Sequence, residues 1–134
     1  MSLPANRQEW ARIGAWLWGL ALLIACLVPS NEIPEVDVPL ADKWVHFVLF
    51  GVQTLLMLLG LNYPRRATVI RVVIFCVLFG LVVEILQYLT YPWLHRAFDL
   101  MDMGANTIGV FMGVLLFWLW QRTRTRQPSV KKPF

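Results

Sequence analysis

The sequence predicts an all-α integral membrane protein, a bundle of four transmembrane helices with N-in/C-in topology. Three observations carry that expectation. Hydrophobic residues make up 58% of the 134-residue chain and charged residues only 15%, against roughly 25% charged in an average soluble domain. Twelve basic and eight acidic side chains cannot furnish the polar shell that a water-soluble globule needs. Four apolar stretches approach the roughly 20 residues that cross a hydrocarbon core about 30 Å thick, and the basic residues gather on one side once those stretches alternate in direction. Disorder, collagen and a disulfide scaffold are excluded by the high apolar content, by eight Pro and eight Gly without a period, and by only two Cys.

The spans are predicted at about 13–28, 44–61, 69–91 and 101–120. The first stops at Pro29, which lacks a donor and biases Val28 away from helix. The second ends before Asn62, Tyr63 and Pro64, and the third runs from Val69, with Arg71 free to snorkel, to Tyr91 and Pro92. The fourth closes on the interfacial pair Trp118 and Trp120. Residues 1–121 are expected to form one domain and residues 122–134 a flexible basic tail that anchors the topology. Leu23-Ile24-Ala25-Cys26 resembles a lipoprotein cleavage box, but three later spans leave no soluble domain to export, so no cleavage is expected. Cys26 and Cys76 lie in different spans at different depths, and no disulfide is expected between them.

Arg7, Arg12, Arg65, Arg66, Arg71, Arg122, Arg124, Arg126, Lys131 and Lys132 fall on one side of alternating spans; Lys43 and Arg96 fall on the other. The positive-inside rule then places both termini and the 62–68 loop in the cytoplasm of a bacterial inner membrane. The loop with Glu32, Glu35, Asp37 and Asp42 faces outward, as does the loop with His95, Arg96 and Asp99.

Several polar residues stand where a membrane helix normally excludes them, at about 2.5 to 3.5 kcal/mol for an acid at a helix centre. Glu84 lies inside the third span, with Gln87 and Tyr88 at the next turn and Gly80 and Cys76 at four-residue steps before it. Asp42 and His46 share a face at the outer entrance of the second span beside Lys43, with Gln53 two turns deeper. On the fourth span Asp102, Asn106, Gly109 and Gly113 recur at helical spacing, polar outside and small inside. Three spans thus put their polar residues at one outer level. Asp42, Lys43, His46, Glu84, Gln87, Arg96, Asp99, Asp102 and Asn106 are predicted to surround a polar, ligand-binding cavity. Taken singly, Gln53, Gln87 and Asn106 read more simply as hydrogen-bonding register pins.

At these residues the sequence resembles the VanZ-like family of small bacterial membrane proteins. The matching pieces are Asp42 and Lys43 with His46 and Phe47, Glu84 with Gln87, and Arg96, Asp99, Asp102, Asn106, Gly109 and Gly113, covering about residues 40–115. The resemblance implies an accessory role in antibiotic resistance: the founding member lowers susceptibility to the lipid-tailed glycopeptide teicoplanin. It implies no reaction.

The leading functional reading is a site that binds or acts on an amphiphilic cell-envelope ligand, a lipid-linked precursor or a lipoglycopeptide-type antibiotic. Lys43 and Arg96 would meet its phosphate or carboxylate. A membrane-embedded acid/base enzyme is the second reading, with Glu84, His46 and Asp102 as catalytic candidates. A structural or assembly subunit of a larger complex is the third. No cofactor and no metal site is expected: a divalent ion on Asp42, His46, Glu84 and Asp102 would draw ligands from separate helices and has no local motif behind it. Membrane lipid, other membrane proteins or further copies of the chain are the expected partners. Nucleic acid is not, since the tail lacks interleaved aromatics and any nucleic-acid fold signature. With an impermeant thiol reagent on intact cells, a single cysteine engineered at Glu35 should label and one at Arg124 should not; the reverse pattern defeats the orientation.

Overall fold

The structure is a computed structural model that describes residues 5–34, 37–61 and 63–125. Most of the predicted tail, and Glu35, lie outside the described residues. The described elements are α1 (Ala5–Cys26), a 3-10 turn (Ser30–Glu32), α2 (Ala41–Leu59), α3 (Arg66–Leu89), α4 (Tyr91–Leu94) and α5 (Leu100–Thr125), with no strand among them. Four of the helices, α1, α2, α3 and α5, are long and apolar enough to cross a membrane. They overlap the four predicted spans and extend beyond most of their ends, because a helix can carry its first and last polar turns past the hydrocarbon. Three predicted ends are too long by two residues: α1, α2 and α3 stop at Cys26, Leu59 and Leu89. The third span stops at Leu89, since Pro92 has no N–H to continue the ladder and opens α4 instead.

Helix borders are made by local chemistry. Asp99 caps α5: its Oδ1 accepts the backbone N–H of Met101 at 2.8 Å, and its carbonyl accepts that of Met103 at 3.1 Å. Thr90 Oγ1 donates to Leu86 O at 2.6 Å at the end of α3. Leu40, Tyr63 and His95 have φ of 57°, 48° and 52°, left-handed turns that reverse the chain beside α2, α3 and α4.

Helix α2 touches α1, α3 and α5, and lies closest to α5. The approach of these two is set by glycine. A Cβ on Gly113 would lie 2.5 Å from Gly51 O and 2.8 Å from Thr54 Cβ, and one on Gly109 would collide with Phe47 O. Such small-residue contacts drive helix association where lipid offers no hydrophobic gain. Helix α1 is tied to α2 by Trp18 Nε1 donating to Leu49 O at 2.9 Å and Arg12 Nε donating to Gly60 O at 2.8 Å. The core holds Leu22, Phe50, Leu58, Val72, Val83, Val110 and Phe117, while Trp16, Ile74, Trp93 and Leu100 face outward, as lipid-facing residues do. Arg122 and Arg124 lie over the Trp118 and Trp120 rings at 3.6 and 4.4 Å, anchoring one end of α5. Cys26 and Cys76 are free and buried.

Gly113→Ala should lower stability by about 1 to 3 kcal/mol through overpacking of the α2–α5 seam. Gly104→Ala, where an added Cβ meets nothing within 4 Å, should be neutral or slightly stabilising. Thermal unfolding of both variants in detergent checks this.

Candidate functional site

The polar residues of α2, α3 and α5 converge at one end of the bundle in two layers. The outer layer is built on Lys43, whose Nζ lies 2.7 Å from Asp42 Oδ2, 2.6 Å from Asp99 Oδ2 and 2.7 Å from Asp102 Oδ1. One ammonium with three donors thus gathers three carboxylates, two of them brought from the start of α5. Asp42 and Asp99 are half exposed, so this layer forms the mouth.

The inner layer is closed. His46, Glu84, Asp102 and Asn106 are 2%, 0%, 6% and 1% exposed. His46 Nδ1 is hydrogen-bonded to Asn106 Oδ1 at 2.9 Å, and Asn106 fits there because Gly80 leaves room for its amide. Either side of the imidazole stands a carboxylate beyond hydrogen-bonding reach: Glu84 Oε1 is 3.9 Å from Nδ1 and Asp102 Oδ2 is 3.8 Å from Nε2. Glu84 Oε2 accepts the backbone N–H of Asp99 at 3.1 Å, which docks the α4–α5 loop on α3. Glu84 Oε1 has no hydrogen-bond partner among the described residues. Asp102 joins the layers, one oxygen toward Lys43 and the other toward His46.

Gln87 and Arg96, predicted to line the cavity, both reach the end of α1. Gln87 Nε2 and Arg96 Nη1 both donate to Cys26 O, at 2.7 and 3.3 Å. They satisfy a carbonyl that the end of α1 leaves orphaned and close the site on that flank. Tyr88 points out of the bundle and is 65% exposed, so the expectation that it shares the Glu84 face is not met. Lys43 has every donor engaged by an acid, which leaves Arg96 as the less committed cation. The nine predicted residues therefore gather at one end of the bundle, seven as the two layers and two as a brace on α1.

The sequence match to the VanZ/LLP1 family runs over residues 5–121, through all four long helices. The chain belongs to the VanZ/LLP1 family. A similar protein, the uncharacterized protein C11E3.10 of the yeast Schizosaccharomyces pombe, is 34% identical over 118 residues, which cover 84% of this chain and 70% of the relative. No solved structure matches the chain significantly. The family match includes α1, whose last carbonyl the site residues hold.

One feature the sequence did not disclose lies elsewhere. A groove of about 650 Å³ opens between α1, α2 and α3, apolar along Trp16, Leu20, Leu23, Met57 and Phe79, with Arg12 and Arg71 at its far end. The buried acidic and imidazole side chains lie instead in the closed cluster at the other end of the bundle. Gln53 lines the groove with an unpartnered Oε1. No periodicity marks such a groove, because it arises where α1 and α3 diverge.

Asp99 lies outside the spans. The hydrogen bond from Lys43, then that from the Met101 N–H, hold its carboxyl below the usual aspartate value of 3.8. A group depressed on folding stabilises fully above its unfolded pKa, and that contribution drains away as pH falls through the folded value. Asp99→Asn keeps a good cap and removes the charge, so it should cost at most about 1 kcal/mol at neutral pH, given the exposure of the carboxylate. The melting temperatures of the wild type and variant should draw together as pH falls below about 4.

Proposed function

We propose that this VanZ/LLP1 protein binds an amphiphilic membrane ligand with its polar cluster, on the outward side of a bacterial cytoplasmic membrane with both termini inside. The arrangement of basic residues supports the orientation: Arg12, Arg71 and Arg122 belong to the end opposite Lys43 and Arg96. The observation that carries the ligand reading is Glu84, an acid fully buried in a membrane helix with one oxygen unpartnered beside an imidazole and a second carboxylate. A helix-register pin would be served by amides, and intramembrane ionisable groups of this cost mark function.

The family's link to resistance against a lipid-tailed glycopeptide favours a ligand that combines a polar head with acyl chains, and the apolar groove offers a volume suited to such chains. A relative in a yeast favours a head chemistry that bacterial and yeast membranes share, such as a lipid phosphate, over one antibiotic. Lowered antibiotic susceptibility would follow from occupying or altering an envelope precursor.

A second reading, acid/base catalysis on the same ligand, is favoured by His46 standing between two carboxylates. Cells expressing wild type, His46→Ala, Glu84→Gln and Asp102→Asn at matched protein levels separate the readings. Binding of a lipid-linked precursor should weaken about tenfold in each variant, or about 1.4 kcal/mol, with susceptibility to envelope antibiotics rising in parallel. Enzymatic action predicts instead that Glu84→Gln abolishes turnover while still binding. Four indistinguishable strains would leave only a packed subunit.

A further inference from the structure

We propose that His46, Glu84 and Asp102 hold a divalent transition-metal ion of the zinc or manganese class. This deepens the reading above by naming what fills the closed inner layer. The three residues come from three helices, and each offers one ligand atom within 4.8 Å of the other two. With Nδ1 hydrogen-bonded to Asn106, Nε2 is the nitrogen free to ligate; Asp102 Oδ2 stands 3.8 Å from it, and Glu84 Oε1 stands 3.9 Å from Nδ1. Both gaps are too wide for hydrogen bonds. Ligand atoms about 2.1 Å from a common tetrahedral ion are about 3.4 Å apart, so a set spread over no more than 4.8 Å would close with side-chain movements of about 1 Å.

Two independent observations ask for a cation at this place. Glu84 Oε1 is wholly buried, aimed at His46, and without a hydrogen-bond partner among the described residues, a costly state for a carboxylate. The formal charge is also unbalanced: among the described residues Asp42, Asp99, Asp102 and Glu84 have Lys43 and Arg96 as their fixed cations, and Arg96 is turned to the Cys26 carbonyl.

The neighbouring group of Asp42, Asp99 and Asp102 is equally close-set, but its cation is already there. Lys43 Nζ sits within 2.7 Å of all three. The inner group has no such occupant, and it adds the nitrogen ligand that favours zinc or manganese over calcium or magnesium. Asn106, bonded to the imidazole, would steady the ring as outer partners of metal ligands do. Three protein ligands would leave a coordination position open for the phosphate of an amphiphile, which explains how a net-acidic site accepts an anionic head.

The full chain, purified in detergent and stripped with a chelator, is titrated with Zn²⁺ by calorimetry and with Mn²⁺ by the loss of the free-ion paramagnetic signal, with no lipid added. Roughly one ion per chain is expected, weakened at least about tenfold in His46→Ala and Asp102→Asn and unchanged in Gly104→Ala, where an added Cβ meets nothing within 4 Å. X-ray absorption at the zinc edge of the wild type, which needs no variant to fold, should show an imidazole with oxygen ligands. No binding up to about 1 mM, an edge spectrum without imidazole, or full affinity in folded His46→Ala overturns the proposal. A parallel lipid-binding assay with and without chelator keeps the two readings apart: lipid bound without any ion leaves the ligand reading standing and sinks the metal. An ion bound with no lipid affinity does the reverse.

Discussion

The backbone contact between α2 and α5 governs the rest of the structure. Helices with ordinary side chains between them pack 8–10 Å apart, axis to axis. At such a separation the short side chains of Asp102 and Asn106 would fall short of α2. Gly51, Gly109 and Gly113 remove the intervening Cβ atoms, and the same face of α5, continued by one and two turns, carries Asn106 and Asp102. One helical stripe therefore sets both the closeness of the two helices and the residues that exploit it. Asn106 reaches His46 and Asp102 reaches Lys43 because of glycines up to three turns away.

That coupling explains what could be read from the sequence. Lipid forces helices, so four spans and their polar interruptions are visible from composition and period alone. The α5 stripe is visible too, since steps of four, three and four stay on one face. The azimuth of α3 is not. Gln87 lies about 60° to one side of Glu84 and Tyr88 about 40° to the other, and pattern alone makes them equal candidates. The position of α1 and α5 decides, turning Gln87 inward to Cys26 O and Tyr88 outward. The same limit hid the use of Arg96 and Lys43. A charge count shows two outer cations, whereas only the fold shows that one is enclosed by acids and the other caps a helix end.

Helix α1 gains its place in the site through that cap. Its own sequence carries no chemistry beyond apolar length, and the motif residues that resemble the family begin near residue 40. Yet the family match begins at residue 5, which the structure accounts for: an unsatisfied carbonyl at Cys26 is costly in lipid, and Gln87 and Arg96 meet it from α3 and the α4–α5 loop. The first helix and the motif are parts of one hydrogen-bonded unit.

The division into two layers then gives the cluster its character. In the outer layer every acid touches Lys43, and two of the three acids are open to water, so that layer holds the α2 entrance to the start of α5 at modest cost. In the inner layer an imidazole separates two carboxylates without bonding to either, and among the described residues the groups that bond to those carboxylates are one backbone N–H and Lys43. Amides in place of Glu84 and Asp102 would hydrogen-bond the same neighbours with less burial cost. Retaining acids on both sides of His46 has a physical rationale only if the space between them receives positive charge, as a proton or as a bound cation.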